Sequence, residues 1–383
     1  MQNDIPLSLY IHIPWCVKKC PYCDFNSHEK NDSYDEAAYV SSLLIDLESE
    51  FHKSQGRTLD SIFFGGGTPS LFSADSIHRI IDYARQLFKF KDIEITLEAN
   101  PGTFEQDKFN YFRSAGINRL SIGIQSFNQQ HLQTLERIHD SRQALAAIDT
   151  AQVAGIENIN LDLMFGLPQQ TIEQALDDIK MACSFDVPHI SHYQLTIEEN
   201  TYFHKHRPAL PESDLIWEMQ TGCQQFLADN HYQQYEISAY SKPGRQCLHN
   251  TNYWQFGDYI GIGAGAHGKL TEKDQSGKIV QITRRWKHRQ PQQYIKQSQD
   301  HNATSGEQAL TPDDIVFEFL LNALRLKEGT DTATFERHTG LKIARLEETI
   351  KNVDASLITF DKNRIVTSDK GFIFLNNILE NLI

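Results

Sequence analysis

Over residues 1–240, short apolar runs alternate with longer segments whose apolar residues recur at helical spacing. The runs at 7–13, 61–64, 93–98, 119–124, 158–164 and 189–195 read as strands. Between them 35–51, 74–88, 141–154 and 171–183 read as amphipathic helices. Strand–helix repetition implies parallel strands joined by helical crossovers, and six such units suit an α/β fold built on a partial (β/α)6 barrel. A doubly wound sheet fits the same local pattern.

Beyond the glycine-rich run 258–268 the chain turns polar, with few apolar positions from 271 to 306, and 241–306 is expected to be a connecting region. Regular patterning returns in 307–383. A helix is expected at 313–326 and shorter ones at 331–339 and 342–353. Strands at 357–360 and 364–367 flank the turn Asp361-Lys362-Asn363, and an apolar helix follows. Helices followed by a hairpin suggest a smaller C-terminal α+β domain of winged-helix-like form.

Composition narrows the function. Lys plus Arg number 36 against 50 Asp plus Glu, a formal net charge of −14, which disfavours nonspecific nucleic-acid binding. No basic run precedes an apolar segment at the N-terminus, and no apolar stretch of about 18 residues occurs. A soluble, cytoplasmic protein is expected, with at most peripheral membrane contact. The six cysteines are too scattered for a disulfide framework.

Three of those cysteines, Cys16, Cys20 and Cys23, stand close together just after the first predicted strand, and Phe25 occupies the next alternate position. Thiolates select iron–sulfur clusters, zinc or copper(I), and a four-iron cubane needs one ligand per iron. With three ligands one iron stays open. Zinc with His12 or His28 as fourth ligand is an alternative, as is a disulfide with a spare thiol. Gly65-Gly66-Gly67-Thr68-Pro69-Ser70 follows the second strand; its glycines permit close approach of a ligand to exposed amides. Glu98, Gln125 and Asp162 end later strands, where barrel proteins gather their ligands.

The spacing Cys-x3-Cys-x2-Cys after a strand resembles the radical S-adenosyl-L-methionine (SAM) family. That resemblance implies a [4Fe-4S] cluster on Cys16, Cys20 and Cys23, with SAM chelating the open iron. Within that family the chain is similar to the coproporphyrinogen-dehydrogenase branch. The likeness implies SAM contacts at Tyr10, Tyr22, Gly66, Gly67, Thr68, Glu98, Gln125, Arg137 and Asp162, with Ile262 against adenine.

One further motif, His249-Asn250-Thr251-Asn252-Tyr253-Trp254, combines an imidazole with two flat aromatic side chains, a set suited to haem. Together with the cysteine motif it resembles the haem chaperones of the same family. That implies haem binding through His249, Asn250, Tyr253 and Trp254, with His12, His192 and His267 as other possible axial ligands. It also implies a haem-accepting respiratory protein or membrane complex as partner, and a possible homodimer. The competing expectation is an oxygen-independent coproporphyrinogen III dehydrogenase, which decarboxylates propionates by radical chemistry. Phe25 in place of a further cysteine, Cys16 close to the start of the sequence and the His-Asn-x-x-Tyr-Trp segment all favour the chaperone and predict no such dehydrogenase activity.

Overall fold

The computed structural model describes residues 5–382 apart from positions 33, 91, 104 and 105. Its first strand, β1 (Leu7–Ile13), is buried at every position except Tyr10. It is followed by α1 (Glu36–Lys53), β2 (Ser61–Gly66), α2 (Ala74–Leu87), β3 (Glu94–Ala99), α3 (Gln106–Ala115) and β4 (Arg119–Gln125). Then come α4 (Ser141–Val153), β5 (Asn158–Phe165), α5 (Ile172–Ser184) and β6 (His189–Gln194). Side chains just outside the helices fix where they begin. Asp35 accepts from the amide of Ala38 and Ser73 from that of Ser76, and Asp140 and Thr171 form reciprocal capping boxes with Gln143 and Gln174.

β1 to β6 pair in sequence order and in parallel, as the six expected units do. The sheet is open rather than closed. On one side β6 pairs antiparallel with β7 (Ala239–Ser241). On the other, a seventh parallel strand, β8 (Asp258–Ile262), lies beside β1. From β8 the sheet continues antiparallel through β9 (His267–Lys273), β10 (Ile279–Lys287) and β11 (Thr304–Ala309).

The polar stretch expected to be a connector is therefore sheet. Beside a few apolar side chains such as Leu270 and Ile282 it buries polar and charged ones: Lys269, Thr271, Thr283, Arg285 and Lys287 are all buried. Lys287 Nζ lies 2.6 Å from Asp46 Oδ1 and 2.8 Å from Glu50 Oε1, tying β10 to α1.

Residues 312–380 carry the helices and hairpin anticipated from sequence. The helix Pro312–Ala323 begins with a capping box between Thr311 and Asp314, and Ile358–Phe360 pairs with Arg364–Thr367. The single final helix is instead two, Asp369–Ile373 and Leu375–Glu380, separated at Phe374. Gly371 lets the first of these press on the carbonyl of Leu357, which a Cβ would meet at 1.9 Å. The core of this unit includes Phe319, Phe335 and Leu346 and extends to Phe256 and Ile282 of the preceding segment. Among the described residues no helix is long and apolar enough to cross a membrane.

Candidate functional site

Each site-bearing strand is buried along most of its length and leaves a polar or small residue partly open within it: Tyr10 in β1, Glu98 in β3, Gly123 in β4 and Asp162 in β5. Strand alternation aims these positions the same way, and together they line one cavity of about 410 Å³. Cys16, Cys20, Cys23, Tyr22, Gly66, Gly67, Thr68, Gln125, Arg137, His249, Asn250 and Tyr253 complete most of its wall. The structure thus brings together the predicted site residues except Trp254 and Ile262, neither of which lines this cavity.

The thiols are carried on a loop held by its own backbone. Cys23 N donates to Cys20 O at 3.2 Å and Lys30 N to Cys16 O at 2.8 Å. Burial pushes the Cys16 thiol up to about 11, with the neighbouring thiols Cys23 and Cys20 adding to the shift and Thr68 opposing it. Its anion therefore needs a cation beside it, as iron would provide. Arg137 Nη1 lies 3.3 Å from both Cys20 Sγ and the Tyr22 hydroxyl, while Nη2 donates to Gly123 O at 3.0 Å. Burial disfavours this guanidinium, yet the Tyr22 and Cys20 side chains more than offset that and raise its pKa. His12 has both ring nitrogens engaged, by the Tyr10 hydroxyl at 2.9 Å and by Asn26 O at 2.9 Å. That leaves it no lone pair to close a zinc site.

Gly66 and Gly67 form a cradle that other residues cannot. Gly66 has φ +120°, and a Cβ there would come within 2.6 Å of the His12 ring; one on Gly67 would meet Trp15 O at 2.6 Å. The Gly66 amide donates to Glu98 Oε2 at 3.1 Å. Burial, and then the charge of Asp162, push the Glu98 carboxyl up to about 8, against the pull of the Gly66 amide and Arg119. Glu98 thus holds its proton at neutral pH until a cation arrives. Asp162 accepts from Ser121 Oγ and Asn160 Nδ2, each at 2.8 Å. Gln125 sits at φ +67° and accepts from the Tyr193 hydroxyl at 2.6 Å.

The His249 motif forms the helix α6 (Leu248–Trp254). His249 and Tyr253, four residues apart, share the face turned to the cavity, whereas Trp254 is one step further round. Its ring lies under the Arg325 guanidinium at 4.3 Å, away from the cavity. The His249 ring stacks on Phe63 at 4.9 Å and is bonded on both nitrogens, to Ser61 Oγ at 3.0 Å and the Tyr253 hydroxyl at 3.1 Å. His192 is buried against Phe165, and Ile262 is fully buried in the sheet core. Arg119, Ser121, Asn160, Ser191 and Tyr193 line the cavity without having been anticipated. Polar residues at inward strand positions were the available signal, and for Arg119, first in its strand, nothing in the sequence separates it from a surface cation.

Comparison with known proteins agrees with this architecture. The Radical SAM superfamily matches residues 10–182, and the HemN C-terminal domain matches residues 310–374. The solved coproporphyrinogen III oxidase HemN of Escherichia coli shares the fold, with a TM-score of 0.82 at 24% identity over 99% of this chain and 90% of that one. Two curated relatives are named heme chaperone HemW. That of Haemophilus influenzae is 47% identical and that of Escherichia coli 45% identical, each alignment covering 98% of this chain and 97% of the relative. On sequence likeness over its whole length, the chain belongs to the HemW family of radical SAM proteins.

Proposed function

We propose that the protein is a haem chaperone that carries a [4Fe-4S] cluster and SAM, and passes haem to a respiratory haem protein without decarboxylating coproporphyrinogen. One observation carries this reading: the three thiols and the His249, Asn250 and Tyr253 side chains line the same cavity. The relatives' name supports the haem assignment. The family resemblance supports the cluster.

In this reading Cys16, Cys20 and Cys23 hold three irons, and Arg137 neutralises thiolate charge at Cys20. SAM, when bound to a reduced cluster, supplies one-electron chemistry at its sulfonium. Glu98 would accept a hydrogen bond from the SAM amino group, and the Gly66–Thr68 backbone would let the methionine part approach closely. Asp162, already oriented by Ser121 and Asn160, receives ribose hydroxyls. Phe25, 61% exposed, puts an apolar ring at the cavity rim where the dehydrogenase pattern has a cysteine.

Anaerobic reconstitution tests the choice. The cluster-loaded protein should bind haem stoichiometrically and leave coproporphyrinogen III unchanged, as followed by absorbance and by chromatography of the porphyrins. Conversion at an enzyme-like rate overturns the reading. Gly66→Ala should weaken SAM binding about tenfold or more, since relieving such an overlap costs about 1–3 kcal/mol. Calorimetric titration with SAM reads this directly.

A further inference from the structure

A second cavity, of about 530 Å³, shares Tyr10, Phe25, Gly66, Glu98 and Tyr253 with the first and opens beside it. Its volume lies within the range of about 300–1,000 Å³ usual for small-molecule and cofactor sites. To the shared aromatic residues Phe25 and Tyr253 the second cavity adds, among others, Tyr259, His267 and Arg289, which are absent from the first. Tyr253 belongs to the His249 motif and lines both cavities.

Haem needs three things of a site: apolar area for the ring, cations for two propionates and an accessible donor for iron. The motif's own imidazole is poorly placed for the third. His249 is 1% exposed, and both its ring nitrogens are hydrogen-bonded. Reaching iron would break the Tyr253 or Ser61 bond and open the stack on Phe63.

His267 differs on each point. It is exposed at the start of β9, its ring nitrogens have no hydrogen-bond partner among the described residues, and it lies 6.4 Å from the Trp286 ring in stacked orientation. Partial burial, together with the charges of Arg284 and Arg289, lowers its pKa and keeps it in the neutral form that binds metal. Arg284 is committed to Glu318, at 2.5 Å. Arg289 has no carboxylate partner among the described residues, although Asn26 holds its backbone carbonyl at 2.9 Å.

We propose that haem docks in this second cavity with His267 as axial ligand to iron and Arg289 pairing with a propionate, while Phe25 and Tyr253 cover the ring. The proposal rests on the haem-binding reading and names its site. Haem so placed would lie against the Tyr10–Gly66–Glu98 wall of the SAM cavity, at an open rim from which it can leave.

Titration of the full-length, cluster-loaded protein with haemin tests it, read by the Soret band and by electron paramagnetic resonance. His267→Ala should weaken haem binding at least tenfold and change the iron spin state, and added imidazole should restore the wild-type spectrum. Arg289→Gln should weaken binding several-fold with the spin state unchanged. Both side chains are exposed, and retention of the cluster absorbance in each variant reports an intact fold. Unchanged affinity and spectrum in His267→Ala overturn the site while leaving the haem-binding reading standing. Failure of the wild-type protein to bind haem overturns that reading, and the site with it.

Discussion

Replacing Cys16, Cys20 and Cys23 together by alanine should abolish the visible absorbance and iron content of the reconstituted protein and leave its circular dichroism unchanged. Among the described residues no other cysteine lines the cavity. Of the other cysteines, Cys247 is buried and donates to Glu94, the first residue of β3. Cys183 and Cys223 lie on helices of the outer layer. The fold is expected to survive because the loop is held by backbone bonds that alanine keeps, and because none of the three thiols belongs to the hydrophobic core. Arg137 loses Cys20 but retains the Tyr22 hydroxyl and Gly123 O. Cluster formation on the triple variant would show that the ligands lie elsewhere.

The barrel strands were legible in the sequence because a strand buried on both faces must be apolar almost throughout. In such runs the few polar residues stand out, and Glu98, Gln125 and Asp162 duly meet at the cavity. Two kinds of feature escaped that reasoning. One is burial by pairing: β9 and β10 look like solvent-exposed linker, since their inward positions are Lys269, Thr271, Arg285 and Lys287, each satisfied by a partner distant in sequence. The other is orientation within a short helix. Residues 249–254 read as one haem-facing unit, but helical geometry turns Trp254 away from His249 and Tyr253, toward Arg325.

The largest effect on stability is expected at Asp258, where the parallel barrel passes into the antiparallel extension. Its carboxylate is fully buried and accepts from Lys269 Nζ at 2.7 Å, Arg57 Nη1 at 2.6 Å, Thr271 N at 3.0 Å and Thr271 Oγ1 at 2.9 Å. Lys269 is itself 1% exposed, with its ammonium 4.1 Å from the centre of the Phe256 ring. Asp258→Ala strands that ammonium without a counter-charge, so a loss of about 3–5 kcal/mol is expected, measured by urea unfolding. Adding Lys269→Met should recover most of it, because the penalty comes from the orphaned charge; Arg57 keeps Ile5 O at 2.6 Å. If the double variant is no more stable than the single, the loss comes from packing instead. Burial alone would raise the Asp258 pKa, but Lys269 and Arg57 hold it below 3.8. A depressed carboxyl contributes stability above its unfolded-state value and loses it as the pH falls through the folded one. The difference between wild type and Asp258→Ala should therefore be full at neutral pH and shrink below about pH 4. Because β9 starts at His267, the same joint holds the proposed axial ligand in register with the barrel, and Asp258→Ala should loosen haem binding at denaturant concentrations where the wild-type protein still retains it.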